Sequence, residues 1–196
     1  MILSDRSIKE EVKRRRIVFD PPFLDKDLSP SSVDVHLGDY IWTFKDIHPA
    51  IVQAIDLRHP DVASALVELT ERTLIPDEGY DLQPKGFILA FTKEKLTLPD
   101  DIGARIEGRS TLARFGITVH ATAPTIHPTW LAAPLMLELC NFGKQACKLT
   151  KGLAIAQLIF ERLDSLPLKS LDTVWRKQKA ESLRPQTRNR KAGQAK

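Results

Sequence analysis

With 196 residues, 42% of them hydrophobic and 28% charged, the chain has the size and composition of one soluble domain with a sizeable core. No apolar run reaches the roughly 18 residues of a membrane helix, and the opening MILSDRSIKEEVKRRR lacks a signal peptide's apolar stretch, so a cytoplasmic protein without membrane contact is expected. The net charge of +4 is uneven: residues 176–196 hold eight Lys or Arg against one Glu, whereas the preceding 175 hold 21 basic and 24 acidic residues.

In chain order, Ser4 to Arg16 reads as an amphipathic helix, N-capped by Ser4 or Asp5, with Ile8 and Val12 on one apolar face. Pro21-Pro22 closes that region. The stretch SSVDVHLGDYIWTF (31–44) is rich in β-branched and aromatic residues, with Gly38-Asp39 expected as a turn. Residues 59–72 fit either a surface helix or a loop insertion. Turn signals then precede a series of strands: Pro84-Lys85-Gly86 before FILAFTKEKLTLP, Pro99-Asp100-Asp101 before IGARIEG, and Lys151-Gly152 before LAIAQLIFERL. This spacing predicts an antiparallel sandwich or barrel rather than a βαβ repeat. The expected organisation is a single mainly β domain over 1–175, with short helices, followed by the basic tail 176–196. The tail reads as a solvated end or as a lid over a polyanion such as a triphosphate. Nucleic acid is not an expected partner, because no aromatic residues interleave with its charges.

Two segments could carry chemistry. In GRSTLARFGITVHATAPTIHPTW (108–130), the Gly108-Arg109-Ser110 turn feeds a helix-compatible stretch, Thr111–Arg114. Free backbone N–H groups, a hydroxyl and guanidinium groups would thus gather as a phosphate chain requires, although a surface turn with solvated arginines has the same pattern. In PLMLELCNFG (134–143), read as a strand, Leu135, Leu137 and Leu139 share one face and Met136, Glu138 and Cys140 the other. A carboxyl flanked by Met and Cys is suited to proton transfer when burial raises its pKa; an exposed strand Glu is the alternative. Cys140 and Cys147, the only cysteines, read as free thiols. No zinc-deaminase signature occurs, since no His is followed by x-Glu and there is no P-C-x-x-C. His120 and His127 lack partners for a metal, so no protein-bound zinc is expected.

Taken together, SDRSI (4–8), SSVDVHLG (31–38), EGRSTLARFG (107–116), VHATA (119–123), LMLELCN (135–141) and GLAIAQLIFE (152–161) resemble, in order, the motifs of the dCTP deaminase family, a branch of the dUTPase-like superfamily. The resemblance implies a distorted β-barrel or jelly-roll forming a homotrimer, with sites between subunits. It implies hydrolytic deamination of dCTP to dUTP and ammonia, with Glu138 as general base and then acid. Ala121, Thr122 and Ala123 would hold the water and read the base. Ser110 and Arg114 would lie near the reacting centre, while Arg109 and Thr111 with neighbouring N–H groups, those of Leu112 and Ala113 included, would bind phosphates. His127, Met136 and Leu137 complete the expected substrate contacts. Magnesium is expected only on the substrate triphosphate, and dTTP or dUTP as regulator or product.

Departures from the pattern matter. Where the superfamily's hydrolysing members have I-D-P-G-[FW], this chain has Ile126-His127-Pro128-Thr129-Trp130, replacing both Asp and Gly. A dUTP diphosphatase or a bifunctional dUMP-forming deaminase is therefore the second reading, and a non-catalytic nucleotide-binding relative the third. Trp130 to Glu138 runs one residue longer than the usual spacing, which a bulge or shifted loop would absorb. In the tail, Trp175, Lys179 and Gln186 are the nearest match to a Tyr…Lys-Tyr-x-x-Gln pattern.

Overall fold

The computed structural model describes residues 1–46, 54–58 and 62–169. Trp175, Lys179, Gln186 and the rest of the basic tail lie outside them, as do residues 170–175 of the expected domain. Ser4 caps α1 (Asp5–Lys13) by accepting the Ser7 N–H on its hydroxyl. The helix stops at Lys13 rather than Arg16, because Arg15 turns to a positive φ of 57° and Arg16 folds back to bond Glu11. There follow β1 (Val18–Asp20), a 3₁₀ turn (Asp25–Asp27), β2 (Leu28–Ser29) and β3 (Ser32–Phe44). The ambiguous 59–72 stretch resolves over its described part into α2 (Val62–Leu69) and β4 (Thr70–Leu74).

The remaining strands are β5 (Tyr80–Leu82), β6 (Phe87–Thr97), β7 (Ile102–Gly108), then β8 (Ile117–Thr118), β9 (Thr125–Ile126), β10 (Ala133–Asn141), β11 (Cys147–Leu149) and β12 (Ala154–Arg162), with α3 (Ser110–Arg114) between β7 and β8. The main sheet runs β8-β10-β6-β3-β12-β7-β9, with β1 on β6 and both β2 and β4 on β3. Its pairings are antiparallel, and β5 pairs with β11 apart from it. This matches the expected mainly β class. No helix among the described residues is long and apolar enough to cross a membrane.

Gly38-Asp39 does not form the expected turn. β3 continues through it, and the irregularity becomes a bulge between Leu37 and Ile41 against β6. Gly38 sits so close to β6 that a Cβ would meet the Phe91 carbonyl at 2.9 Å, so the glycine serves a close strand approach instead of a chain reversal. Beyond the bulge β3 changes partners: Val33–His36 pair with β12, Ile41–Thr43 with β6 and Tyr40–Phe44 with β4. Alternation buries Val33, Val35 and Leu37 of β3, Ile88 and Ala90 of β6, Leu135, Leu137 and Leu139 of β10, and Ile155, Leu158 and Phe160 of β12 in one core. A smaller cluster, Trp42 and Leu89 with Leu66, Phe91 and Met136, packs separately and places α2 against this sheet.

The N-terminal helix is held by charge as well as by Ile8. Glu11, 5% exposed, accepts from Arg16 and Arg162, and both arginines also bond Asp101. Four alternating charges thereby join α1, the turn before β7 and the end of β12.

Candidate active site

Glu138 lies in the middle of β10, half-buried between half-buried Met136 and Cys140, while Leu137 and Leu139 are fully buried on the opposite face. Its N–H donates to the Val119 carbonyl at 3.0 Å. Its Oε2 accepts the Ala121 N–H at 2.8 Å, and Oε1 makes no hydrogen bond among the described residues. The carboxylate is therefore fixed by one oxygen and open at the other, at the edge of an exposed segment formed by Ala121, Thr122 and Ala123. Leu137, an expected substrate contact, has its side chain wholly in the core, which leaves only its backbone for a ligand.

The segment leading to Ala121 is also anchored. Glu107 lies 3.8 Å from His120 Nε2 and 3.9 Å from Arg105, and Arg105 bonds Glu161. Thr118 Oγ1 and His120 Nδ1 are buried without a partner among the described residues. Polar atoms in that position call for water or a further group to satisfy them.

The second part of the site is the turn before α3. Arg109 occupies the N-cap in extended conformation and no side chain caps the helix, so the first-turn N–H groups are not taken up by a capping side chain. Ser110, Thr111, Ala113 and Arg114 are exposed, and Leu112 is half-buried against the core. Arg109 Nη2 reaches Asp34 at 3.0 Å and Nη1 donates to the Ala154 carbonyl at 3.1 Å. Burial, the largest influence, pushes the Asp34 carboxyl above its ordinary value; Arg109 and His36 pull it down and Asp27 pushes it further up. Gln157 supports the turn from below, donating to the Gly108 carbonyl at 3.1 Å while accepting from Ser32 at 3.2 Å.

A backbone crossing joins the two parts. Gly116, at φ 86°, follows α3, and a Cβ there would lie 2.3 Å from the Gly143 nitrogen just beyond β10. Phe142 N–H donates to the Gly116 carbonyl at 2.8 Å. Within one chain, however, neither Ser110 nor Arg114 hydrogen-bonds or pairs with Glu138, and Arg114 makes no ion pair or hydrogen bond among the described residues.

His127 is exposed immediately after β9. Around Trp130–Glu138 the backbone is irregular in two places. Thr129 and Ala132 take positive φ, at 61° and 39°, in a loop where the Ala132 N–H donates to Thr97 Oγ1 and Trp130 Nε1 donates to the Ala133 carbonyl. The register then slips between Pro134 and Met136, with the surplus residues on β6 rather than β10. Sequence reasoning missed the Asp34–Arg109 pair, the bridging role of Gln157 and the Gly116–Gly143 crossing. Asp34 and Gln157 lay inside quoted motifs, which was the only available signal. Among the described residues no group of three or more His, Cys, Asp or Glu side chains is arranged to hold a metal ion.

Comparison with known proteins adds to this geometry. The model of the dCTP deaminase-like family matches residues 2–163. A protein of Methanosphaera stadtmanae named "dCTP deaminase, dUMP-forming" is 40% identical over 164 residues, covering 84% of this chain and 80% of its own. One from Thermomicrobium roseum named "dCTP deaminase" is 40% identical over 167 residues, covering 84% and 81%. Among solved structures, a 2'-deoxycytidine 5'-triphosphate deaminase from Agrobacterium tumefaciens aligns with a TM-score of 0.62 at 20% identity, over 92% of this chain and 53% of that one. That likeness, which spans about half of the solved chain, concerns the fold alone.

Proposed function

The chain belongs to the dCTP deaminase-like family, and from that premise we propose that it deaminates dCTP hydrolytically with Glu138 as the proton carrier. The observation that carries this reading is the asymmetric carboxylate: Oε2 is held by the Ala121 N–H, while Oε1 is free to accept a proton. In the proposed reaction Glu138 takes a proton from a water whose oxygen bonds to C4 of cytosine, and the protonated carboxyl passes that proton to N3. A second transfer moves the remaining hydroxyl proton to the amino group. The C4–N bond then breaks, releasing ammonia and leaving the C4 carbonyl of uracil.

In this reading Arg109, Ser110, Thr111 and the N–H groups of α3 take the triphosphate, which arrives with magnesium as its counter-ion. Ala121–Ala123 line the base, and Met136 and His127 flank it. A homotrimer would bring Ser110 and Arg114 of one subunit to Glu138 of another. Supporting this are the absence, among the described residues, of any hydrogen bond or ion pair between those groups within the chain, and the exposure of Phe115 and Phe142, at 64% and 75%, beside the glycine crossing.

The proposed product is dUTP, because an exposed His stands at position 127 and no carboxylate replaces it there. The second reading, dUMP formation, is favoured by the name of the Methanosphaera relative. Incubating the protein with dCTP and, separately, dUTP in the presence of magnesium, then resolving products by ion-pair chromatography, tests both. The proposal expects dUTP from dCTP and no change in dUTP. Accumulation of dUMP and pyrophosphate would replace it with the second reading, and no conversion of either nucleotide would overturn both.

A further inference from the structure

We propose that His36 is a positioning residue for Arg109, acting through the Asp34 carboxylate and thereby setting the affinity for the substrate's phosphates; this rests on the reading of the Gly108–Ser110 turn as the phosphate site. His36 and Asp34 lie two residues apart on β3, against β12. Glu94 of β6 grips His36 twice: Oε2 accepts its backbone N–H at 2.9 Å and Oε1 meets Nδ1 at 2.7 Å. On the far side, Asp27 of the 3₁₀ turn lies 3.6 Å from Nε2. Both of these carboxylates are 5% exposed. Glu94 is presented by the β6 bulge, where Thr92 Oγ1 donates to the Glu94 carbonyl at 2.7 Å.

His36 thus sits between two buried carboxylates, Asp27 and Glu94, two residues along β3 from the Asp34 that pairs with Arg109. Asp34 is already pushed toward its neutral form by burial and by Asp27, and is drawn back by Arg109 and His36. Without the imidazole, Asp27 and Glu94 lose their shared partner, and Asp34 loses the pull of His36 while keeping the push of Asp27. Asp34 then becomes a poorer anchor, and Arg109 keeps only the Ala154 carbonyl. A guanidinium free to rotate loses the preorganisation on which phosphate binding depends.

The test is a double-mutant cycle read by calorimetric binding of inorganic tripolyphosphate, together with dCTP kinetics. His36→Asn keeps a donor for Glu94 but loses the second ring nitrogen that faces Asp27. It is expected to weaken tripolyphosphate binding and raise the dCTP KM about tenfold, with kcat changed by less than about twofold. In an Arg109→Ala background the same substitution is expected to change neither. Asp34→Asn should give the same losses, and His36→Gln replaces His36→Asn in the cycle should the latter fold poorly. The proposal is overturned if His36→Asn binds as wild type, or if it weakens binding equally with and without Arg109. Should the wild type bind tripolyphosphate yet leave dCTP intact, the deaminase reading falls while the calorimetric cycle still decides His36.

Discussion

One oxygen of Glu138 is committed to a backbone N–H and the other is not, which separates its structural duty from its chemical one. Glu138→Gln keeps an acceptor for Ala121, so its thermal midpoint should stay at the wild-type value while ammonia release falls by about 100-fold or more. A variant that stayed active would remove Glu138 from the mechanism. Arg114 offers the complementary case, an exposed cation whose side chain has no hydrogen-bond or ion-pair partner among the described residues. Such groups contribute little to stability, so Arg114→Ala should leave the melting temperature nearly unchanged and lower kcat/KM by about 100-fold. Equal loss of both would mark it as a structural residue. At this scale strand alternation made the placement of Glu138 legible, with Met136 and Cys140 beside it and three leucines opposite. The Asp34–Arg109 pair was not legible, because its members are far apart in sequence and only the pairing of β3 with β12 and of β12 with β7 brings them together.

Between elements, the decisive contact is made by backbone. Where Gly116 passes Gly143 there is no room for a side chain, and the positive φ of Gly116 adds a second barrier to substitution. Gly116→Ala is expected to destabilise the fold by about 2–4 kcal/mol and to reduce turnover, because it pushes α3 away from the strand that carries Glu138. Urea denaturation alongside a turnover assay checks this, and a variant as stable as wild type would refute the crossing. Element types were readable from pattern because turn residues and alternating strands are local signals. Gly38-Asp39 was misread for the same reason, since glycine marks both chain reversals and close strand approaches, and only a neighbouring strand distinguishes them. The slip that sets Pro134 to Met136 against Phe91 to Lys95 could not be read in advance, as a register slip belongs to a pair and not to either sequence alone.

Across the molecule, the Glu11, Arg16, Asp101 and Arg162 ring ties the first helix to the last strand. Burial, the largest single influence on Glu11, pushes its carboxyl upward, but the combined pull of Arg16 and Arg162 leaves it below its ordinary value of 4.5. A carboxyl lowered by folding stabilises above its unfolded value, and that contribution is lost as pH falls through the folded one. Glu11→Gln should therefore cost about 3 kcal/mol near neutral pH, with the difference from wild type shrinking toward about pH 3. Urea titrations at the two pH values measure it, and a difference independent of pH would show that the ring acts through packing alone.

The sharing of β3 between two sets of partners has a consequence for how the protein is made. Val33 to His36 find their long-range ladder partner in β12, where Val33 meets Leu158, and the Arg162–Glu11 bond spans 151 residues. On a ribosome, β3 emerges long before the strand that covers it. The nascent chain must therefore carry apolar residues such as Val33 and Val35 without their β12 cover until nearly all of the described domain has been translated, a window in which the fold itself does not yet protect them.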